Sequence, residues 1–183
     1  MNYTQKEITL KDGSICTLRC PEIKDAATLI ELLKITSAET PFLLREPEEI
    51  TLTVEEEKAF LAARADDKGT LMLLSEDEEG ITGLCSLTPA GPHLRVAHRS
   101  TVAISLISRA WGKGLGTAML RELLSFAKEY GYRQAELEVV EGNDTAIALY
   151  KKLGFVPYGT RPNTMKYKDG SFRNEILMYK ELI

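Results

Sequence analysis

The chain has 183 residues, 44% hydrophobic and 27% charged, with a net charge of −4; this suits one soluble domain with a full core and leaves little room for a second. The acidic balance disfavours non-specific nucleic-acid binding, which needs a basic surface, but not a small anion held locally. With no apolar run of membrane-span length, no signal-peptide core in MNYTQKEITLKDG, two histidines and no CxxC, the expectation is a single cytoplasmic domain over residues 1–183 with no metal, membrane or nucleic-acid partner.

In chain order, GSICTLRC (residues 13–20) alternates as a strand after a KDG turn. Cys16 and Cys20 lie four apart on it, too distant to bridge, and Cys85 stands alone. KDAATLIELLKITSAE is an amphipathic helix with Asp25 as a cap or first-turn acid, and TVEEEKAFLAARADD (53–67) is a second, with Thr53 and Glu56 as a capping box. Between them, TPFLLREPEEITLT is irregular. GTLMLLSED and GITGLCSLTP are strands joined by an acidic turn, and a longer strand is expected over 94–107. Residues 115–130 form a helix with Leu115, Met119, Leu123, Phe126 and Tyr130 on one stripe, ended by Gly131. QAELEVV is a strand with Ala135, Leu137 and Val139 on one face and Glu136 and Glu138 on the other. NDTAIALYKKLG is a short helix capped by Asn143 and closed by Gly154. FVPYGT is a strand, residues 161–172 are a polar loop, and NEILMYKEL is the last strand. Meander strands first and crossovers later predict one mixed α/β sheet.

The stretch SRAWGKGLGTAML (108–120) places Gly112, Gly114 and Gly116 between a strand and a helix. Glycines admit a close approach to the backbone, and the helix start offers free N–H groups and partial positive charge, a cradle for phosphate. The lysine precedes the second glycine, which is not P-loop spacing, and Thr117 stands where a dinucleotide fingerprint needs its third glycine. A plain strand–helix turn without ligand is the alternative.

WGKGLG resembles the acetyl-CoA loop Q/R-x-x-G-x-G/A of the GCN5-related N-acetyltransferases, with Gly114 and Gly116 at the glycines and Trp111 departing from Q/R. About thirty residues further on, LEVVEGNDTAIALYKKLGF resembles the family's second signature at Asn143, Ala146, Leu149, Tyr150, Gly154 and Phe155. The resemblance implies a mixed, mostly antiparallel sheet of about six to seven strands, flanked by about four helices, whose central strands splay at a bulge. It implies an acetyl-CoA-dependent N-acetyltransferase acting by direct transfer, without a covalent enzyme intermediate, on a small amine, a peptide N-terminus or a lysine. A non-catalytic acyl-CoA-binding sensor or partner module of the same fold is the other reading, and a homodimer is left open.

By the same resemblance, backbone groups at Ile104, Ser105 and Leu106 serve the pantetheine arm, and Gly112, Lys113, Gly114, Leu115, Gly116 and Thr117 hold the pyrophosphate. Asn143 bonds the cofactor, and Tyr150, two helical turns on and about 10 Å away, protonates the leaving thiolate as general acid. Glu138 is the expected general base, with Glu136 as alternate and His98 behind both. Residues 23–67 and 160–174 form the acceptor walls, where Glu39, Glu46, Glu48 and Glu49 would favour a cationic amine.

Overall fold

The computed structural model describes residues 3–65 and 67–182. In chain order it contains β1 (Lys6–Thr9), β2 (Ile15–Arg19), α1 (Ala26–Glu39), α2 (Val54–Ala65), β3 (Leu71–Asp77), β4 (Gly80–Pro89), β5 (Arg99–Leu106), α3 (Leu115–Tyr130), β6 (Gln134–Val140), α4 (Asp144–Lys152), β7 (Val156–Lys166) and β8 (Phe172–Glu181). The strands form one sheet in the order β1-β2-β3-β4-β5-β6-β8-β7. Every neighbouring pair is antiparallel except β5–β6, which is parallel.

The sheet has eight strands where about six to seven were expected, because β1 escapes the pattern. It is four residues long with three exposed positions, so no apolar alternation marks it. Its register comes from the tight turn to β2, where the Leu10 N–H donates to the Ser14 carbonyl at 2.8 Å. The strand expected from residue 94 begins at Arg99, since residues Leu94–Val96 coil into a short 3₁₀ turn. The expected polar loop after residue 160 is mostly strand: β7 runs to Lys166, pairing Arg161 with Glu175, with a shift in register before Met165. Asn163 sits there at φ +52°, a left-handed break inside an otherwise extended segment.

Asp25 does not cap α1 with its side chain. Its carboxylate is turned onto Arg19, which donates at 2.7 and 2.9 Å, and also accepts from the Glu22 backbone N–H. Burial alone would raise this acid, but those hydrogen bonds outweigh it and hold the carboxyl below its ordinary range. The Thr53–Glu56 capping box forms as expected, and α2 ends at Ala65; Asp66, within the expected helix, lies outside the described residues.

The stripe on α3 packs as its period requires. Leu115, Met119 and Leu123 are fully buried and Tyr130 surfaces at the end. Ala135, Leu137 and Val139 of β6 are buried, while Glu138 is exposed on the opposite face.

The feature that positions the site is the parting of β5 from β6. Their pairing is confined to Arg99–Gln134, Ser100–Ala135 and Thr101–Glu136. Beyond this, β5 stays with β4 up to Leu106–Gly83, and β6 stays with β8 up to Val140–Glu175. The expected splay is present, but the β4–β5 register carries no shift, so no bulge in that pair produces it.

Candidate active site

The glycine loop lies at the open end of the β5–β6 gap. Gly112 and Gly114 hold φ +75° and +90°, which a side chain would strain, and Gly114 is the N-cap of α3, so no side chain covers the first turn. Gly116 has a packing reason to be bare. A Cβ there would stand 3.1 Å from Leu149 Cδ2 and 3.5 Å from Leu106 Cδ1, so its bareness lets α3, α4 and β5 close together. Lys113 donates to Asp12 at 3.0 Å, and Asp12 is pushed down to about 2 by hydrogen bonds from Ser14 and Lys113. The unexpected cation here is Lys11. Its N–H donates to the Lys113 carbonyl at 3.0 Å, its stem lies across Gly114, and among the described residues its ammonium has no ion pair.

Behind the loop, the end of β5 commits the backbone groups of Ser105 to β4 but leaves those of Ile104 and Leu106 free of it. The Ile107 N–H donates to the Thr82 carbonyl on β4. Antiparallel alternation then turns the backbone groups of Ile104 and Leu106 away from β4, into the gap that β6 has left. Trp111 Nε1 donates to the Leu106 carbonyl at 2.8 Å. The indole thus closes one side of a cavity of about 340 Å³ whose other walls are the end of β5, α4 and the end of α1. Glu39 fastens α1 there, accepting from the N–H and Oγ of Ser108, both at 2.6 Å.

Asn143 and Tyr150 both line this cavity. The Asn143 side-chain oxygen accepts from the Ala146 N–H at 3.3 Å, which caps α4 and leaves its NH₂ without a protein acceptor among the described residues. Tyr150 is 7% exposed, packs edge-on against Phe155, and is pushed up to about 12 by burial, so it stays protonated at neutral pH. Its hydroxyl has no protein partner among the described residues, yet no buried side-chain oxygen or nitrogen there is orphaned. The phenol oxygen therefore opens onto the cavity.

A second cavity of about 260 Å³ lies on the far side of the same residues, and Phe42, Leu43, Ile104, Asn143 and Tyr150 wall both. Its polar wall is Glu138 on β6 and Glu175 on β8. Arg161 of β7 bridges them, donating to both oxygens of Glu138 at 2.8 and 2.6 Å and to one oxygen of Glu175 at 3.1 Å. Glu175 is pushed above its ordinary range by burial first and then by the Glu138 charge, with Arg161 opposing. At the rim, the Arg173 guanidinium lies between the rings of Phe42 and Tyr167, 5.4 and 5.1 Å from their centroids.

The structure thus brings Ile104, Leu106, Asn143 and Tyr150 around one cavity, sets Gly116 beside Ile104 and Leu106, and places Glu138 on the adjoining cavity, while Gly112, Lys113, Gly114, Leu115, Gly116 and Thr117 line neither. The alternates fall away: Glu136 is locked to Arg99 where β5 and β6 still pair, and His98, before the start of β5, lines neither cavity. The four loop acids are occupied: Glu39 by Ser108, Glu46 and Glu48 by Lys168, and Glu49 by the Glu46 N–H. Lys11, Arg161 and Glu175 are missed by sequence. Only Glu175 carries a signal, an acid at the head of an apolar strand run. Among the described residues no group of three or more His, Cys, Asp or Glu could hold a metal ion. No helix among them is long and apolar enough to cross a membrane.

Residues 30–155 match the family described as the acetyltransferase (GNAT) family. The fold is similar to the crystal structure of an acetyltransferase of GNAT family from Streptococcus pneumoniae, at 34% identity and a TM-score of 0.85, over 91% of this chain and 99% of that one. It is also similar to a GNAT superfamily phosphinothricin acetyltransferase from Sinorhizobium meliloti in complex with acetyl-CoA, at 22% identity and a TM-score of 0.79, over 91% and 88% of the two chains. An N-alpha-acetyltransferase from Sulfurisphaera tokodaii is 35% identical over 102 residues, 55% of this chain and 58% of that protein. Across the curated relatives, the matched stretch spans between 19% and 58% of their own lengths.

Proposed function

The chain belongs to the acetyltransferase (GNAT) family, and from that premise we propose that it is an N-acetyltransferase that takes acetyl from acetyl-CoA and passes it directly to a primary amine. The observation that carries this is the meeting of two cavities at Tyr150, Asn143 and Ile104, where β5 and β6 part. One suits the cofactor arm and the other an acceptor, so donor and acceptor would meet without a covalent relay. No cysteine lines either cavity, and Cys85 is buried in the core with its thiol pushed up by desolvation.

Acetyl-CoA would supply the activated thioester. The free N–H groups at the start of α3, with Gly112 and Gly114, would hold its pyrophosphate. Ile104 and Leu106 would hydrogen-bond the arm by their backbone, and the Asn143 NH₂ would add a donor. Trp111 would have to share or yield the Leu106 carbonyl. Tyr150, protonated and open to the cavity, is the general acid for the leaving sulfur. The general base is a carboxylate of the Glu138–Glu175 pair.

Thiol release from acetyl-CoA over a panel of primary amines tests the reading. Amine-dependent release with N-acetyl product supports it. Saturable acetyl-CoA binding with no release on any amine would instead favour a non-catalytic binding module.

A further inference from the structure

We propose that Glu175, and not Glu138, is the group that takes the proton from the acceptor amine, and that Arg161 and Glu138 act beside it as positioning residues. This rests on the acetyltransferase reading above. The two acids share one face of the sheet. Glu138 stands opposite Leu177 and Glu175 opposite Val140, which makes them diagonal neighbours across β6 and β8. Both line the cavity that Tyr150 enters.

Their bonding differs. Arg161 engages both oxygens of Glu138 in a fork, so both are taken up by charge-assisted hydrogen bonds. Glu175 accepts only one contact from Arg161, at 3.1 Å, and its Oε1 receives no N–H or O–H from the described residues. The Glu175 side chain is 15% exposed against 45% for Glu138. Burial and the neighbouring Glu138 charge both make Glu175 hold a proton more tightly than an ordinary glutamate does, while Arg161 tempers this. The titratable groups around it are Glu138 from β6 and Tyr150 from α4, which line the same cavity, and Arg161 from β7, which bonds it; Arg173, two residues back along β8, lies on the Phe42 and Tyr167 rings. From the β5 and α1–α2 sides, the cavity wall is apolar, with Val102, Ile104 and Phe42.

The step balances as follows. Glu175 accepts a proton from the acceptor ammonium, and the freed nitrogen lone pair forms the C–N bond at the thioester carbonyl carbon. As the C–S bond breaks, its electron pair goes to sulfur, which takes the Tyr150 proton. Glu175 passes that first proton to water and then takes the second nitrogen proton by the same route; one of the two returns through water to Tyr150 and the other is released, so ammonium and acetyl-CoA give amide, free thiol and one proton.

Two probe amines of similar size separate a base from a structural acid. Ethylamine is a cation at neutral pH, whereas 2,2,2-trifluoroethylamine is mostly unprotonated and needs no proton removed before attack. Glu175→Gln should lose about 100-fold in kcat/KM on ethylamine and less than about tenfold on trifluoroethylamine. Glu138→Gln should lose less than Glu175→Gln on ethylamine, lose by a similar factor on both amines, and move the acidic limb of the ethylamine pH profile to lower pH, since its charge raises Glu175. Equal losses on the two amines in Glu175→Gln, or a larger loss on ethylamine in Glu138→Gln than in Glu175→Gln, overturn the assignment. Wild-type protein that binds acetyl-CoA but releases no thiol with either amine overturns the acetyltransferase reading and this one with it. That failure shows in wild type alone, so the two are distinguishable.

Discussion

The cavity assigned to the cofactor is closed by backbone groups, an indole and a helix cap, with one long reach from Glu39 to Ser108, whereas the polar wall of the acceptor cavity is a cluster of charged side chains. Trp111 bonds Leu106 five residues away, and Asn143 caps Ala146 three away. On the other side, Arg161 reaches Glu138 across 23 residues and Glu175 across 14. The first construction depends mainly on φ angles and bare glycines, with charge entering at Lys11 and the Lys113–Asp12 pair. The second depends on charges, so pH and single substitutions reach it readily. The difference teaches that one chain can fix what it takes acetyl from while leaving what it gives acetyl to open to change.

Four substitutions sharpen that contrast, from the largest effect to the smallest. Tyr150 belongs to both cavities. Tyr150→Phe should lower kcat by about 10²–10⁴-fold while leaving acetyl-CoA affinity near wild type, read by steady-state rates and calorimetry. An affinity loss as large as the rate loss would make Tyr150 a wall and not an acid. Gly114→Val forces a β-branched residue to φ +90°, at about 1–2 kcal/mol, which should weaken acetyl-CoA binding about tenfold by calorimetry. The amine KM should not move; a change there would mean that the two regions are coupled through the loop.

On the acceptor side, Arg161→Gln removes the positive charge that opposes protonation of Glu175. A base works only when deprotonated, so the acidic limb of the pH–rate profile should shift to higher pH, with acetyl-CoA affinity unchanged. A shift to lower pH would break the account of this cluster. Lys11→Ala should weaken acetyl-CoA by no more than about fivefold, as for an exposed charge, and the effect should fade in high salt. A loss that persists in salt would point to loop packing at Gly114 instead.

The cofactor side was the more legible because its signals are local. The bounds of α3 follow from a 3.6-residue stripe and Gly131, and the Asn143 cap from its place before an apolar-periodic run. Glu138 was placed on the correct face because a strand alternates with period two. Its bonding to Arg161 was not visible, because residues 161–172 look like a polar turn. Their proline, asparagine and glycine conceal a strand that pairs with β8 through a register shift and Asn163 at positive φ. Glu175 was hidden for the same reason, since only the β6–β8 and β7–β8 registers bring it beside Glu138 and Arg161. The packing of Leu149 and Leu106 against Gly116 was not visible either, since spacing alone does not show which side chains close on it.

The central claim is that donor and acceptor occupy adjoining cavities at the same time and react directly at Tyr150. Initial rates of thiol release, measured over a grid of acetyl-CoA and amine concentrations, test it most directly. The account predicts double-reciprocal lines that intersect, as a ternary complex requires. Parallel lines, the mark of an acetyl-enzyme that forms and releases CoA before the amine binds, would contradict it.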